Sequence, residues 1–92
     1  MRKIRYSTQF TRDYRRKNAG RHRASLDDLF LEVVRLLSED QPLPARHYDH
    51  ALTGEWKDHR DCHIKPDLVL IYRTPDKDTL ELVRLGSHSE LF

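Results

Sequence analysis

Five consecutive apolar residues, Leu68-Val69-Leu70-Ile71-Tyr72, set the first constraint on how this chain can fold. A run without polar alternation suits a central strand, paired on both edges and shielded from water. Around it the sequence offers partners. Arg60 to Lys65 alternates, with Cys62 and Ile64 facing one way and Asp61, His63 and Lys65 the other. Pro66-Asp67 gives a turn, Pro75-Asp76-Lys77-Asp78 gives the next, and Leu80 to Leu85 gives another strand. Near the start, Arg2 to Tyr6 alternates as a short half-buried strand, with Ile4 and Tyr6 on one face. Two helices follow it. Ser7 or Thr8 caps a helix to about Asn18, with Phe10 and Tyr14 four apart on one face, and Asn18-Ala19-Gly20 ends it. Ser25 with Asp28 resembles a capping box for a second helix, whose apolar positions are Leu26, Leu29, Phe30, Val33, Val34 and Leu37. Pro42 and Pro44 forbid its continuation and set an extended connector through His47 and His50. The expected fold is α+β, a single domain over residues 1–92 with the helices packed on one face of a mostly antiparallel sheet.

A chain of 92 residues that is 37% hydrophobic and 35% charged can build one modest core. The single cysteine, Cys62, excludes an internal disulfide and suits a reducing compartment. No apolar stretch approaches the about 18 residues that a membrane span needs, and Met1 to Tyr6 lacks a signal peptide's apolar region, so a cytoplasmic protein is expected. The net charge of +2 conceals an asymmetry, because residues 1–24 hold nine Lys or Arg against Asp13 alone. Such density fits either a solvated helix face or a surface that tracks a nucleic-acid backbone.

The chemistry is concentrated elsewhere. Six histidines occur in the chain, and His50, His59, His63 and His88 accompany Asp61, Asp67, Arg60 and Arg84. Imidazole titrates near neutrality and guanidinium binds phosphate, so this set suits proton transfer beside a phosphate. Three chemistries could use it. His59 and His63 share a strand face and could join His50 or His88 around a metal, although no Cys pair or helical His-Glu-x-x-His pattern supports this. Cys62 adjoins His63, but alternation turns the two to opposite faces and makes a buried structural thiol of Cys62. The third is RNA cleavage without metal or cofactor, in which a base takes the ribose 2′-hydroxyl proton, an acid protonates the leaving 5′-oxygen, and cations hold the added charge.

From Pro42 to Phe92 the chain resembles the YafQ branch of the RelE-type toxins, ribosome-dependent mRNA endonucleases of bacterial type II toxin-antitoxin modules. The matching residues are Pro42-Leu43-Pro44-Ala45, Asp49-His50-x-Leu52-x-Gly54-x-Trp56-Lys57, Arg60-Asp61-x-His63-x-x-Pro66-Asp67, Leu70-Ile71-Tyr72 and Arg84-x-Gly86-x-His88-x-x-Leu91-Phe92. The first half agrees more loosely, through Tyr6-Ser7, Phe10 and Asp13. The resemblance implies an active site of His50, His63, Asp67 and His88, with His88 as the acid and His50, or else Asp67, as the base. It implies that Arg84 stabilises the phosphorane charge and that Phe92 stacks on an mRNA base, while Arg60 offers a further cation by its own chemistry. His63 would hold the phosphate or orient a neighbour. The implied partners are a cognate antitoxin, mRNA and the ribosome, whose RNA could meet the basic first helix; no membrane is involved. Leu68 stands where the branch can carry Trp. His47 and His59 match no functional position and are expected to be solvated, whereas Gly54 and Trp56 are expected to serve a turn and a strand start. The rival expectation is a non-catalytic RNA- or protein-binding domain of the same fold.

Overall fold

The computed structural model describes residues 1–19 and 23–92. In chain order it contains β1 (Lys3–Tyr6), α1 (Thr8–Ala19), α2 (Arg23–Ser38), β2 (His50–Ala51), β3 (Arg60–Lys65), β4 (Leu68–Asp76), β5 (Thr79–Gly86) and α3 (His88–Leu91). Single 3-10 turns occupy Ala45–His47 and Gly54–Trp56. The sheet order is β1-β5-β4-β3-β2, antiparallel except where β1 runs parallel to β5. The apolar run thus lies in the central strand, and Leu68, Leu70 and Ile71 are wholly buried.

The sheet divides the core into two unequal layers. On one face Cys62, Ile64, Leu68, Leu70, Tyr72, Leu80, Leu82 and Leu85 pack under Phe10, Phe30, Val33, Val34 and Leu37 from α1 and α2. On the other, Val69, Ile71 and Leu91 form a small cluster with Leu52, Trp56 and Val83. That thin second layer leaves room for a polar surface. Cys62 has no exposure, and burial pushes its thiol up and away from thiolate chemistry.

Three sequence expectations need revision. The second helix begins at Arg23, so Ser25 lies inside it rather than capping it, while Gly20 falls outside the described residues. The connector after Pro44 is not simply extended, because the turn at Ala45–His47 packs on β3 and carries His47 inward to 3% exposure. Its Nδ1 lies 2.6 Å from the main-chain oxygen of His63, and since a carbonyl only accepts, Nδ1 holds the proton. His59 is half-buried rather than solvated, its ring 5.3 Å from that of Trp56. The first helix does begin as expected: Ser7 Oγ accepts the Phe10 N–H at 2.9 Å.

Candidate active site

Strand register assembles the site. His50, Asp61, Ile71 and Arg84 stand directly across from one another on β2, β3, β4 and β5, and His63, Val69 and Gly86 form the next row. Residues in register share a face, so His50, Asp61, His63 and Arg84 belong to the side opposite the main core. Arg84 owes its place to an irregularity. Tyr72 pairs with Leu82 and Ile71 with Arg84, leaving Val83 as the extra residue of a bulge. Were the ladder regular, Val83 would stand across from Ile71 and Arg84 would follow Leu80 and Leu82 into the helix-side core.

The Arg84 guanidinium is then fixed by a carboxylate with no exposure at all. Asp13 of α1 accepts from Arg84 Nε at 2.8 Å and from the Leu85 N–H at 3.0 Å. Strand β1 has ended at Tyr6, so Ser7 and Asp13 satisfy the bare edge of β5; Ser7 Oγ donates to the Val83 oxygen at 2.7 Å. Burial would raise the Asp13 carboxyl, but the bonds from Arg84 and Leu85 hold it below the usual range.

Sequence reasoning did not assign Asp61 to the site. Its side chain is 4% exposed, and its Oδ1 lies 3.0 Å from His50 Nδ1. That approach is an ion-pair distance rather than a hydrogen bond, for Oδ1 has no hydrogen-bond partner and the Nδ1–H of His50 donates to the Tyr48 oxygen at 2.9 Å. Burial pushes the Asp61 carboxyl up, and the nearby His50, His63 and His88 partly offset this. A buried carboxyl therefore sits beneath the fields of three imidazoles. The available signal was its even spacing from His63 on an alternating strand.

His88 reaches the group from α3, which sequence periodicity was too short to reveal. Ser87 caps it with a reciprocal box: Ser87 Oγ accepts the Glu90 N–H at 3.2 Å, and Glu90 Oε1 accepts the Ser87 N–H at 2.7 Å. Lys17 of α1 donates to the same oxygen at 2.7 Å, which lowers the Glu90 carboxyl to about 2. Gly86 lets this turn close, since a Cβ there would lie 3.1 Å from Glu90 Oε1 and 3.3 Å from Leu91 Cδ2. Leu91 fills the small cluster while Phe92 stays 48% exposed, its ring 4.8 Å from that of His88.

The remaining expected residues fall as follows. Asp67 lies exposed in the turn between β3 and β4. Arg60 is not brought to the histidines. Alternation turns it to the Cys62 face, where its Nε donates to Asp49 at 3.2 Å, and Tyr72 donates to the same carboxylate at 2.6 Å. The basic N-terminal segment is partly neutralised internally by Arg2–Asp40, Arg16–Asp13 and Lys17–Glu90. Among the described residues no three His, Cys, Asp or Glu side chains are grouped to hold a metal ion, and no helix is long and apolar enough to cross a membrane. A groove of about 680 Å³ lies between α1 and α2, lined by Tyr6, Phe10, Tyr14 and Phe30 on the helix side, apart from this chemistry. The histidines instead occupy an open, polar surface, a form that admits a polymer.

Comparison with known proteins agrees over the whole chain. A profile of the bacterial toxin of type II toxin-antitoxin system, YafQ, matches residues 2–92. The mRNA interferase toxin YafQ of Escherichia coli K12 is 40% identical over 91 residues, covering 99% of this chain and 96% of that protein. A copper-bound mutant toxin from Helicobacter pylori superposes with a TM-score of 0.88 at 42% identity, covering all of both chains. The E. coli DinJ-YafQ complex superposes with a TM-score of 0.84 at 38% identity, covering all of this chain and 99% of that one.

Proposed function

The chain belongs to the YafQ family of bacterial type II toxins, and from this premise we propose that it is an endoribonuclease that cuts mRNA in the ribosomal A site. The observation that carries the chemistry is the strand register that sets His50, His63 and Arg84 on one face beside the buried Asp61, with His88 two residues beyond Gly86 at the end of the His63 row. Cleavage needs a base near the ribose 2′-hydroxyl and an acid near the leaving 5′-oxygen. His50 suits the base, because donation of its Nδ1–H to the Tyr48 oxygen leaves the Nε2 lone pair to take a proton. Asp67, in the adjoining turn, is the second choice. The freed 2′-oxygen attacks phosphorus, the bond to the 5′-oxygen breaks, and His88 supplies that oxygen's proton. The products are a 2′,3′-cyclic phosphate and a 5′-hydroxyl.

Arg84, fixed by Asp13, presents a cation to the phosphorane from the end of the His50–Asp61 row, and His63 holds the phosphate between the two proton carriers. Phe92 beside His88 stacks on a base. Arg60 has no part in this scheme. The antitoxin complex of a relative supports an antitoxin partner for this toxin as well.

The test is to add the protein, with chelator present, to ribosomes programmed with a defined mRNA and to map new ends for wild type and His88→Ala. Cleavage within the A-site codon that His88→Ala abolishes is the expected result. Intact mRNA from folded wild-type protein would instead favour a non-catalytic binding domain, and cleavage only without chelator would favour metal chemistry.

A further inference from the structure

The rim of the histidine group carries an aromatic side chain to which neither sequence motif nor mechanism has given work. Tyr48 is 66% exposed, more than Phe92, in a protein whose other aromatic rings mostly line the core. Its ring centroid is 4.9 Å from that of His50 and 5.8 Å from that of His63, edge-on to the latter. Its backbone is left-handed, with φ 46° and ψ 49°, a conformation that bulky residues seldom adopt. Two hydrogen bonds hold it there. The Tyr48 N–H donates to the Ala45 oxygen at 3.0 Å, and the Tyr48 oxygen accepts from His50 Nδ1. Strained positions of this kind gather where a surface meets a ligand, since folding alone would favour Gly or Asn.

Leu68, which stands where the family branch can carry Trp, offers no ring here and is wholly buried in the helix-side core. Phe92 flanks His88, leaving the His50 and His63 side of the site with Tyr48 as its exposed ring. We propose that Tyr48 binds substrate, its ring forming the platform on which an RNA base next to the scissile phosphate stacks. The inference rests on the nuclease reading above. A base seated on Tyr48 brings its own ribose and phosphate towards His50 and His63, and a second base on Phe92 brackets the same phosphate from the His88 side. Stacking is tolerant of base identity, so the device positions the chain more than it reads sequence.

The test uses single-turnover cleavage of mRNA on programmed ribosomes, with Tyr48→Phe, Tyr48→Asn and Tyr48→Gly. Asn and Gly accept the left-handed backbone, so melting temperatures at or above wild type are expected, and either variant can carry the comparison. Phe should cut within about twofold of wild type, whereas loss of the ring should slow cleavage by about 10- to 100-fold, the range for one stacked base. Abasic nucleotides placed in turn across the A-site codon then separate stacking from an effect through the histidines. At one position the abasic substitution should slow wild type by a similar factor and leave Tyr48→Asn almost unaffected. Wild-type rates in Tyr48→Asn and Tyr48→Gly would overturn the proposal, as would abasic losses that multiply with Tyr48→Asn at every position. Failure of wild type to cut any programmed mRNA would overturn the nuclease reading, and this proposal with it.

Discussion

Substituting Asp13 tests whether one buried carboxylate joins the fold to the site. Asp13 has no exposure and accepts from Arg84 Nε at 2.8 Å, Arg84 Nη2 at 3.4 Å and the Leu85 N–H at 3.0 Å. Hydrogen bonds to a charged group contribute about 1.5–3 kcal/mol and neutral ones about 0.5–1.5. Asn keeps one oxygen for Leu85 and Arg84 Nε but turns an amide donor towards Arg84 Nη2, so Asp13→Asn should cost about 2–3 kcal/mol. Ala leaves a guanidinium and a strand N–H unpaired, which costs about 3–5 kcal/mol. Against a total of about 5–15 kcal/mol, and at about 4–8 °C per kcal/mol for a domain of this size, Asn should lower the melting temperature by about 10–20 °C. A double-mutant cycle with Arg84→Met, followed by thermal and urea unfolding, isolates the pair. In the Arg84→Met background Asp13→Asn should be neutral or stabilising, since the carboxylate has lost its main counter-charge. The Asp13 carboxyl is lowered in the folded protein, so its contribution is present above its ordinary value near 3.8 and fades as pH falls through the folded value. The gap between wild type and Asp13→Asn should therefore narrow in acid. An equal loss in both backgrounds, or a melting shift under about 2 °C, would refute the reasoning.

Glu90 is lowered from 4.5 to about 2, so the tie from α3 to Lys17 and Ser87 is intact above about pH 4.5 and lost as pH falls towards 2. Fluorescence of the sole tryptophan, Trp56, whose ring lies 6.4 Å from that of Phe92, should report that step, and Glu90→Gln should remove it. Gly86→Ala places a methyl against Glu90 Oε1 and Leu91; single-turnover cleavage should fall about tenfold or more through displaced His88, with a stability loss of about 1–2 kcal/mol by urea unfolding. His47→Phe keeps the apolar contacts but removes the donor to the His63 oxygen, and should cost about 1–3 kcal/mol in the same assay. The corresponding cleavage rate should drop more than that of His59→Phe, whose Nδ1 meets only the Lys57 oxygen at 3.1 Å.

The two-layer α+β architecture was legible because its signals are local and periodic. Leu29, Phe30, Val33, Val34 and Leu37 recur at helical spacing and do face the sheet, Cys62 and Ile64 alternate into the same core, and the apolar run from Leu68 to Tyr72 forms the buried part of the central strand. The motif residues likewise supply the histidine and arginine side chains on which the proposed chemistry rests. Other features are set by contacts between residues far apart in the chain, which a linear pattern does not carry. The bulge at Val83 decides which face Arg84 takes, and only the ending of β1 at Tyr6 opens the β5 edge that Asp13 fills. Asp61 looks like any polar strand residue until β2 lays His50 across from it and burial leaves its carboxyl among imidazoles. His47 looks solvated until a 3-10 turn folds it beneath His63, and α3 is too short to show a period until Gly86 lets it close against the sheet. Sequence by itself determined the two long helices, the strands β1, β3, β4 and β5, and which side chains are on offer for chemistry. Tertiary structure decided which residues meet, because burial, strand register and edge satisfaction are settled only when distant segments pack together.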